Sequence, residues 1–156
     1  MSPAAANPAF SNNLREPFQS PTRLIVSDQS PLWRDVAIRR LQELVALEKG
    51  WDGYQAPPVR FEIAYFTLDM LRAVCPNDVS APQLVPATHG DLQVEWHYPA
   101  GEIELHVRGP NSVSAWRRSP AAPEGEEVSL TNDFVIVLSW IREIVGAPIG
   151  TFTAAA

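Results

Sequence analysis

The stretch Leu92–Val107, LQVEWHYPAGEIELHV, decides the fold. Leu92, Val94 and Trp96 alternate with Gln93, Glu95 and His97; Ile103, Leu105 and Val107 then alternate with Glu102, Glu104 and His106. Period two is the pattern of a strand with one buried face and one wet face. Tyr98-Pro99-Ala100-Gly101 separates the two runs, and closing a reversal there sets residue 97 against 102. That register places Trp96 opposite Ile103, Val94 opposite Leu105 and Leu92 opposite Val107. A slip of one residue would put the three apolar side chains of one run on the opposite face from those of the other. They share one face, and helices must cover it.

Working outward, Gln83–Ala87 reads as a strand entering the hairpin through the turn at His89-Gly90, with Pro82 and Pro86 suiting an edge. Val113–Arg118 follows across Gly109-Pro110-Asn111, which gives four antiparallel strands in chain order. Ser119-Pro-Ala-Ala-Pro-Glu-Gly-Glu-Glu-Val128 has no apolar alternation and reads as a loop.

Helices flank the strands. Ser30-Pro31 is a start signal, a side-chain oxygen followed by an imino acid with no N–H to satisfy. Trp33, Ala37, Leu41 and Leu44, with Ile38 and Val45 beside them, recur at helical spacing, and Lys49-Gly50 reads as the stop. A second helix is expected over 60–74, with Phe61, Ala64, Tyr65, Leu68 and Leu71 as its stripe and Cys75-Pro76 as its end. The last element, 130–145, contains Phe134-Val-Ile-Val-Leu138, which favours strand. Its length, a cap at Ser129 or Thr131 and the stop at Gly146-Ala147-Pro148 favour helix. The expectation is therefore an α+β domain: two N-terminal helices, a four-stranded meander and a C-terminal helix packed on the sheet. Residues 1–22 read as a flexible arm able to dock through Phe10, Leu14 and Phe18, residues 23–149 as one domain and 150–156 as a frayed end. Leu24-Ile25-Val26 is a candidate short strand.

The 156 residues suit one domain with one core. Net charge is −6, and only Lys49 among 12 basic residues is lysine, which argues against broad nucleic-acid binding. Cys75 is the only cysteine, so an internal disulfide is excluded and a reducing, cytoplasmic setting fits. Neither a leader pattern nor a run long enough to cross a bilayer is evident.

The wet face of the hairpin is the first candidate site. Glu95 stands opposite Glu104, His97 opposite Glu102 and Gln93 opposite His106, with Arg118 beside Glu102 if residue 113 pairs with 107. Glu95 and Glu104 are candidate acid–base groups and His97 and His106 candidate metal ligands, against the plainer reading of a solvated charged face. Gly50-Trp51-Asp52-Gly53-Tyr54 is the second candidate: Trp51 and Tyr54 as partner anchors, or Trp51 tucked in and Asp52 capping its own loop. His89-Gly90-Asp91 reads as a tight turn, Cys75 as an inert thiol, and Arg117-Arg118 near Trp116 as too few cations for nucleic acid.

Gly50-Trp51-Asp52-Gly53-Tyr54, Ala56-Pro57-Pro58, Val85-Pro86 and Leu92-Gln93-Val94-Glu95-Trp96 resemble a group of small bacterial proteins of unknown function. These have a GWDG-type loop between helices, then a Q-x-E-W strand and an E-I-E-L return strand. The likeness covers about residues 40–108, implies the same element order and carries over no functional residue.

With no nucleophile or cofactor motif, the expectation is a non-catalytic protein-interaction module, antitoxin-like, immunity-type or an accessory subunit. Its partner would be a protein, a basic one suiting the charge, with Trp51, Asp52, Tyr54, Glu95, His97, Glu102, Glu104 and His106 as candidate contacts. No cofactor is expected. The alternatives are a small metal-dependent hydrolase using the hairpin's polar face and, behind it, a nucleic-acid-binding regulator.

Overall fold

The central stretch folds as its alternation dictates. The computed structural model describes residues 30–146, so the arm, Leu24–Val26 and the C-terminal end lie outside the described residues. Strands β1 (Gln83–Pro86), β2 (Leu92–Tyr98), β3 (Gly101–Gly109), β4 (Ser112–Ser119) and β5 (Ala122–Leu130) form one antiparallel sheet in chain order. The β2–β3 register is the expected one, with Trp96 against Ile103, Val94 against Leu105 and Leu92 against Val107. All six are at most 2% exposed. Each such side chain stabilises the fold by roughly 1.5–3 kcal/mol relative to exposure. That makes their shared face the largest single reason for the hairpin's register.

Helices α1 (Arg34–Val45), α2 (Phe61–Val74) and α3 (Val135–Gly146) complete the fold. α2 and α3 lie on the apolar face of the sheet, and α1 packs against α2 and β1. Ile63, Met70, Leu71 and Val74 of α2 and Val137, Trp140, Ile141 and Ile144 of α3 join the strand residues in one core.

Four expectations need correction. The sheet has five strands, because the expected loop 119–128 supplies most of β5. Its alternation was invisible: only Val128 and Leu130 are apolar on the core side, and the third inward position is Glu126, opposite Arg117. Arg117 neutralises it, with Nε 2.6 Å from Glu126 and Nη1 2.6 Å from Glu143 of α3, while the guanidinium lies 4.9 Å from the centre of the Trp140 ring. An ion-pair network thus does at this sheet end what apolar pairs do elsewhere, and Pro123 is tolerated because β5 is an edge.

Because β5 uses residues 128–130, α3 starts later than expected, at Val135, whose N–H donates to Asp133 Oδ1 at 3.0 Å; neither Ser129 nor Thr131 is the cap. α1 ends at Val45 rather than near Lys49: the Leu44 carbonyl accepts from Val59 N at 3.2 Å, a tertiary bond that takes a last-turn acceptor. Gly50 still adopts φ +84°, but to close the following loop, its N–H donating to Ala56 O at 2.8 Å. Finally, the α2 stripe is rotated. Ile63, Thr67, Met70 and Val74 face the core with Ala64 and Leu71, while Phe61 and Tyr65 are 71% and 60% exposed. The sheet, not α1, sets which side of α2 is buried.

Candidate functional site

Among the described residues, the other face of the sheet carries no helix. Gln93, Glu95 and His97 of β2, Glu102, Glu104, His106 and Arg108 of β3, Ser114, Trp116 and Arg118 of β4 and Glu127 of β5 alternate with the buried residues of those strands. Glu95 lies opposite Glu104, His97 opposite Glu102, Gln93 opposite His106 and Arg118 opposite Glu102, as the pattern required.

Their side chains form two separate groups. In the first, His97 Nε2 lies 3.0 Å from Glu95 Oε2 and Nδ1 3.5 Å from Glu102 Oε2, and Glu102 also pairs with Arg118. The hydrogen bond that His97 donates to Glu95 raises its pKa above the usual histidine value, burial opposing it and Glu102 adding to it. In the second, His106 Nε2 bonds Asp91 Oδ2. Burial pushes the Asp91 carboxyl up, but His106 and the His89 N–H outweigh it and hold it below the ordinary carboxylate range.

Glu95 and Glu104 are neighbours across the ladder, yet Glu95 binds His97 while Glu104 lines a different hollow. His97 and the β3 position of His106 are separated by four residues along the sheet, about 13 Å at the rise of a strand. Two imidazoles so placed do not share one ion, and no cluster of three or more His, Cys, Asp or Glu in metal-holding geometry occurs among the described residues.

Asp91 is the residue that sequence reasoning missed. Its turn geometry is as expected, with Gly90 at φ +77°, but its carboxylate orients His106. The available signal was its place one residue before β2, next to the Leu92–Val107 pair, with His106 the polar neighbour of Val107. Ser114 stands opposite His106, but its Oγ accepts from Arg108 Nη1 at 3.0 Å, so the imidazole has no serine nucleophile bonded to it.

The second group surrounds a hollow of about 400 Å³ built on Trp116. In register Trp116 has Glu104 on one side and Glu127 on the other. The ring rests on Gly125: a Cβ there would lie 2.8–3.0 Å from its Nε1, Cε2 and Cζ2. Gly125 thus abuts the Nε1–Cζ2 edge of the indole. Between Arg117–Glu126 and Ser119–Ala122 the ladder shifts register, so Arg118 alone faces residues 123–125, and Gly125 takes φ +81° within this bulge.

In the Trp51 loop, Trp51 Nε1 donates to Pro57 O at 2.9 Å, and Asp52 Oδ1 accepts from the N–H of Tyr54 at 2.9 Å and of Ala56 at 3.1 Å. Those bonds, Tyr54 first, lower the Asp52 pKa. Trp51 and Asp52 thus hold their own loop, and Tyr54 alone of the three is fully presented, at 86% exposure. Cys75 is buried, and burial with Asp78 nearby pushes its thiol up to about 12, which leaves it unreactive at neutral pH. No described helix is long and apolar enough to cross a membrane.

No protein-family model matches this chain, and no curated protein or solved structure is significantly similar to it.

Proposed function

We propose that this chain is a non-catalytic protein-interaction module, of the kind an antitoxin, an immunity protein or an accessory subunit represents, and that its open sheet face receives a basic segment of the partner. The observation that carries the reading is Trp116 flanked in register by Glu104 and Glu127, with a glycine against the edge of its ring. An aromatic face attracts a lysine or arginine head by its quadrupole, and a carboxylate on either side matches the charge. Glu95 and Glu102 extend the acidic character along the same face, and the net charge of −6 favours encounter with a basic partner. His106 and Arg108 border the hollow and limit which basic side chains fit.

A Lys-Ser repeat peptide, titrated at low salt and followed by the fluorescence difference between wild type and Trp116→Phe, tests this. Two exposed charge pairs contribute about 0.4–2 kcal/mol together. Glu104→Gln with Glu127→Gln, which leaves Trp116 in place, is therefore expected to weaken binding by roughly 2- to 30-fold. Glu43→Gln with Glu62→Gln removes the same charge from the helices. Equal weakening by both pairs would reduce the attraction to net charge and sink the proposal.

A further inference from the structure

The two edges of the sheet are finished differently. β1 is four residues long, ends in Pro86 and has α1 packed against it, with Arg40 Nε donating to Leu84 O at 3.2 Å. β5 is nine residues long, and among the described residues no main-chain hydrogen bond from outside the sheet reaches it. An unpaired strand edge is a template for another strand unless it is blunted. Pro123 and the bulge at Gly125 blunt the first half of β5, whereas Glu126–Leu130 pairs regularly with β4.

We infer that this second half of β5 takes an extended segment of the partner as a sixth, antiparallel strand, with basic side chains on the polar face and apolar ones on the helical face. The inference rests on the reading that the sheet face receives a basic segment, and adds how that segment is held.

Register identifies the main-chain groups. Ser119 pairs with Ala122 across the two-residue turn Pro120-Ala121, so Ser119 turns its N–H and C=O toward β5. Arg117, Ala115 and Val113 do the same by alternation, and their partners Glu126, Val128 and Leu130 turn theirs back to β4. Glu127 and Ser129 therefore each direct an N–H and a C=O outward.

Side chains follow the same alternation. Glu127 and Ser129 stand on the polar face, and the segment residues opposite them share it, which sets a lysine or arginine beside Glu127. Trp116 leans the same way, its ring edge against Gly125 of β5. A sixth strand runs about 4.8 Å beyond β5, so a basic side chain on it reaches toward both Glu127 and the indole. The intervening segment residues face the helices, where Val128 and Leu130 are only half-buried. A hollow of about 460 Å³ opens there between the end of β5 and the first turn of α3, lined by Leu130, Val135 and Ile136 with Asp133 and Ser139 beside them. Val135 and Ile136 are 71% and 39% exposed, and an apolar side chain of the added strand covers them.

Charge selects a basic partner over a second copy. Between Arg118 and Arg142 the chain has no basic residue but carries Glu124, Glu126, Glu127 and Asp133. Among the described residues only Glu126 of these is in an ion pair. Joining two β5 edges would bring the unpaired carboxylates of both copies to one seam, whereas a basic strand neutralises them.

A short Lys-Val repeat peptide, titrated into the isotope-labelled full-length chain, tests this. N-methylation of its lysines removes the N–H groups that face β5 in an antiparallel pair, and N-methylation of its valines removes those that face away. The first should weaken binding by at least about tenfold and the second should change it little. The amide protons of Glu127 and Ser129 should exchange freely in the chain alone and slowly once the peptide binds. Val135→Ser with Ile136→Ser should weaken the Lys-Val peptide several-fold and leave a Lys-Ser peptide unaffected. Equal effects of the two methylations, or no binding of the Lys-Val peptide, would overturn the inference. Protection of Glu127 and Ser129 in the chain alone would overturn it too, assigning the edge to a second copy if it grows with concentration and to the chain itself if it does not. If the Lys-Ser peptide depends on Glu104 and Glu127 while the two methylations act alike, the basic-segment reading stands and strand addition alone fails.

Discussion

Gly125→Ala tests the geometry on which the Trp116 site stands. Two costs add at this position. A residue with a Cβ held at φ +81° is in the left-handed region, which costs about 1–2 kcal/mol. The new methyl would also sit 2.8–3.0 Å from three atoms of the Trp116 ring, where carbon contacts ordinarily settle near 3.5–4.0 Å. Displacing a packed group by that much costs about 1–3 kcal/mol, so the total expected is about 2–5 kcal/mol. Gly53 supplies the control. Its φ is +85°, but nothing lies within 4 Å of its would-be Cβ, so Gly53→Ala should show the strain alone, about 1–2 kcal/mol. In a Trp116→Ala background Gly125→Ala should fall to that same value, since the ring it strikes is gone. Urea unfolding followed by far-ultraviolet circular dichroism measures all four variants, at unchanged m value and without dependence on tryptophan emission. For a chain of this length each kcal/mol is a shift of about 2–4 °C in melting temperature. If Gly125→Ala costs no more than Gly53→Ala, or is indifferent to Trp116→Ala, the indole does not rest on the glycine and the platform proposed for a basic side chain is lost.

Other consequences are open to measurement in the same way. His97 has its pKa raised by Glu95 and Glu102, so its stabilising contribution is complete below the ordinary histidine value near about 6.5 and fades as pH rises through the raised value. Urea midpoints at about pH 5.5 and about pH 8.5 should show wild type losing more stability on alkalinisation than His97→Gln, and equal losses would remove the carboxylate pairing. Asp91 is held below the ordinary carboxylate value, so its contribution is complete above about pH 4 and is lost as pH falls through the lowered value. Asp91→Asn should lack that part of the acid limb, which an acid titration of unfolding checks. Arg117, 12% exposed and bound to Glu126, Glu143 and the Trp140 ring, should cost about 2–4 kcal/mol as Arg117→Ala. Its neighbour Arg118, 60% exposed with one partner, should cost under about 1 kcal/mol as Arg118→Ala, and similar values for the two would mean that the Arg117 network does not hold β5 in place.

What could be read from the residues alone were the features that repeat locally. Alternation over Leu92–Val107 determined two strands, their register and, with it, every pair between β2 and β3 on the polar face. A one-residue slip reverses every side chain of one strand relative to the other, so the pattern admits a single answer there. Helical spacing located α1 and α2, and the stop after Gly146 located the end of α3. The tertiary structure alone decided whatever depends on a neighbour distant in the chain. β5 is a strand because β4 offers it a backbone edge and Arg117 neutralises Glu126, neither visible within residues 119–128. Asp91 belongs to the polar face because a turn carries it beside His106, 15 residues on. Phe61 and Tyr65 lie outside the core because the sheet, not helical periodicity, chose the buried side of α2. Period and sign are properties of a segment, whereas burial is a property of what happens to pack against it.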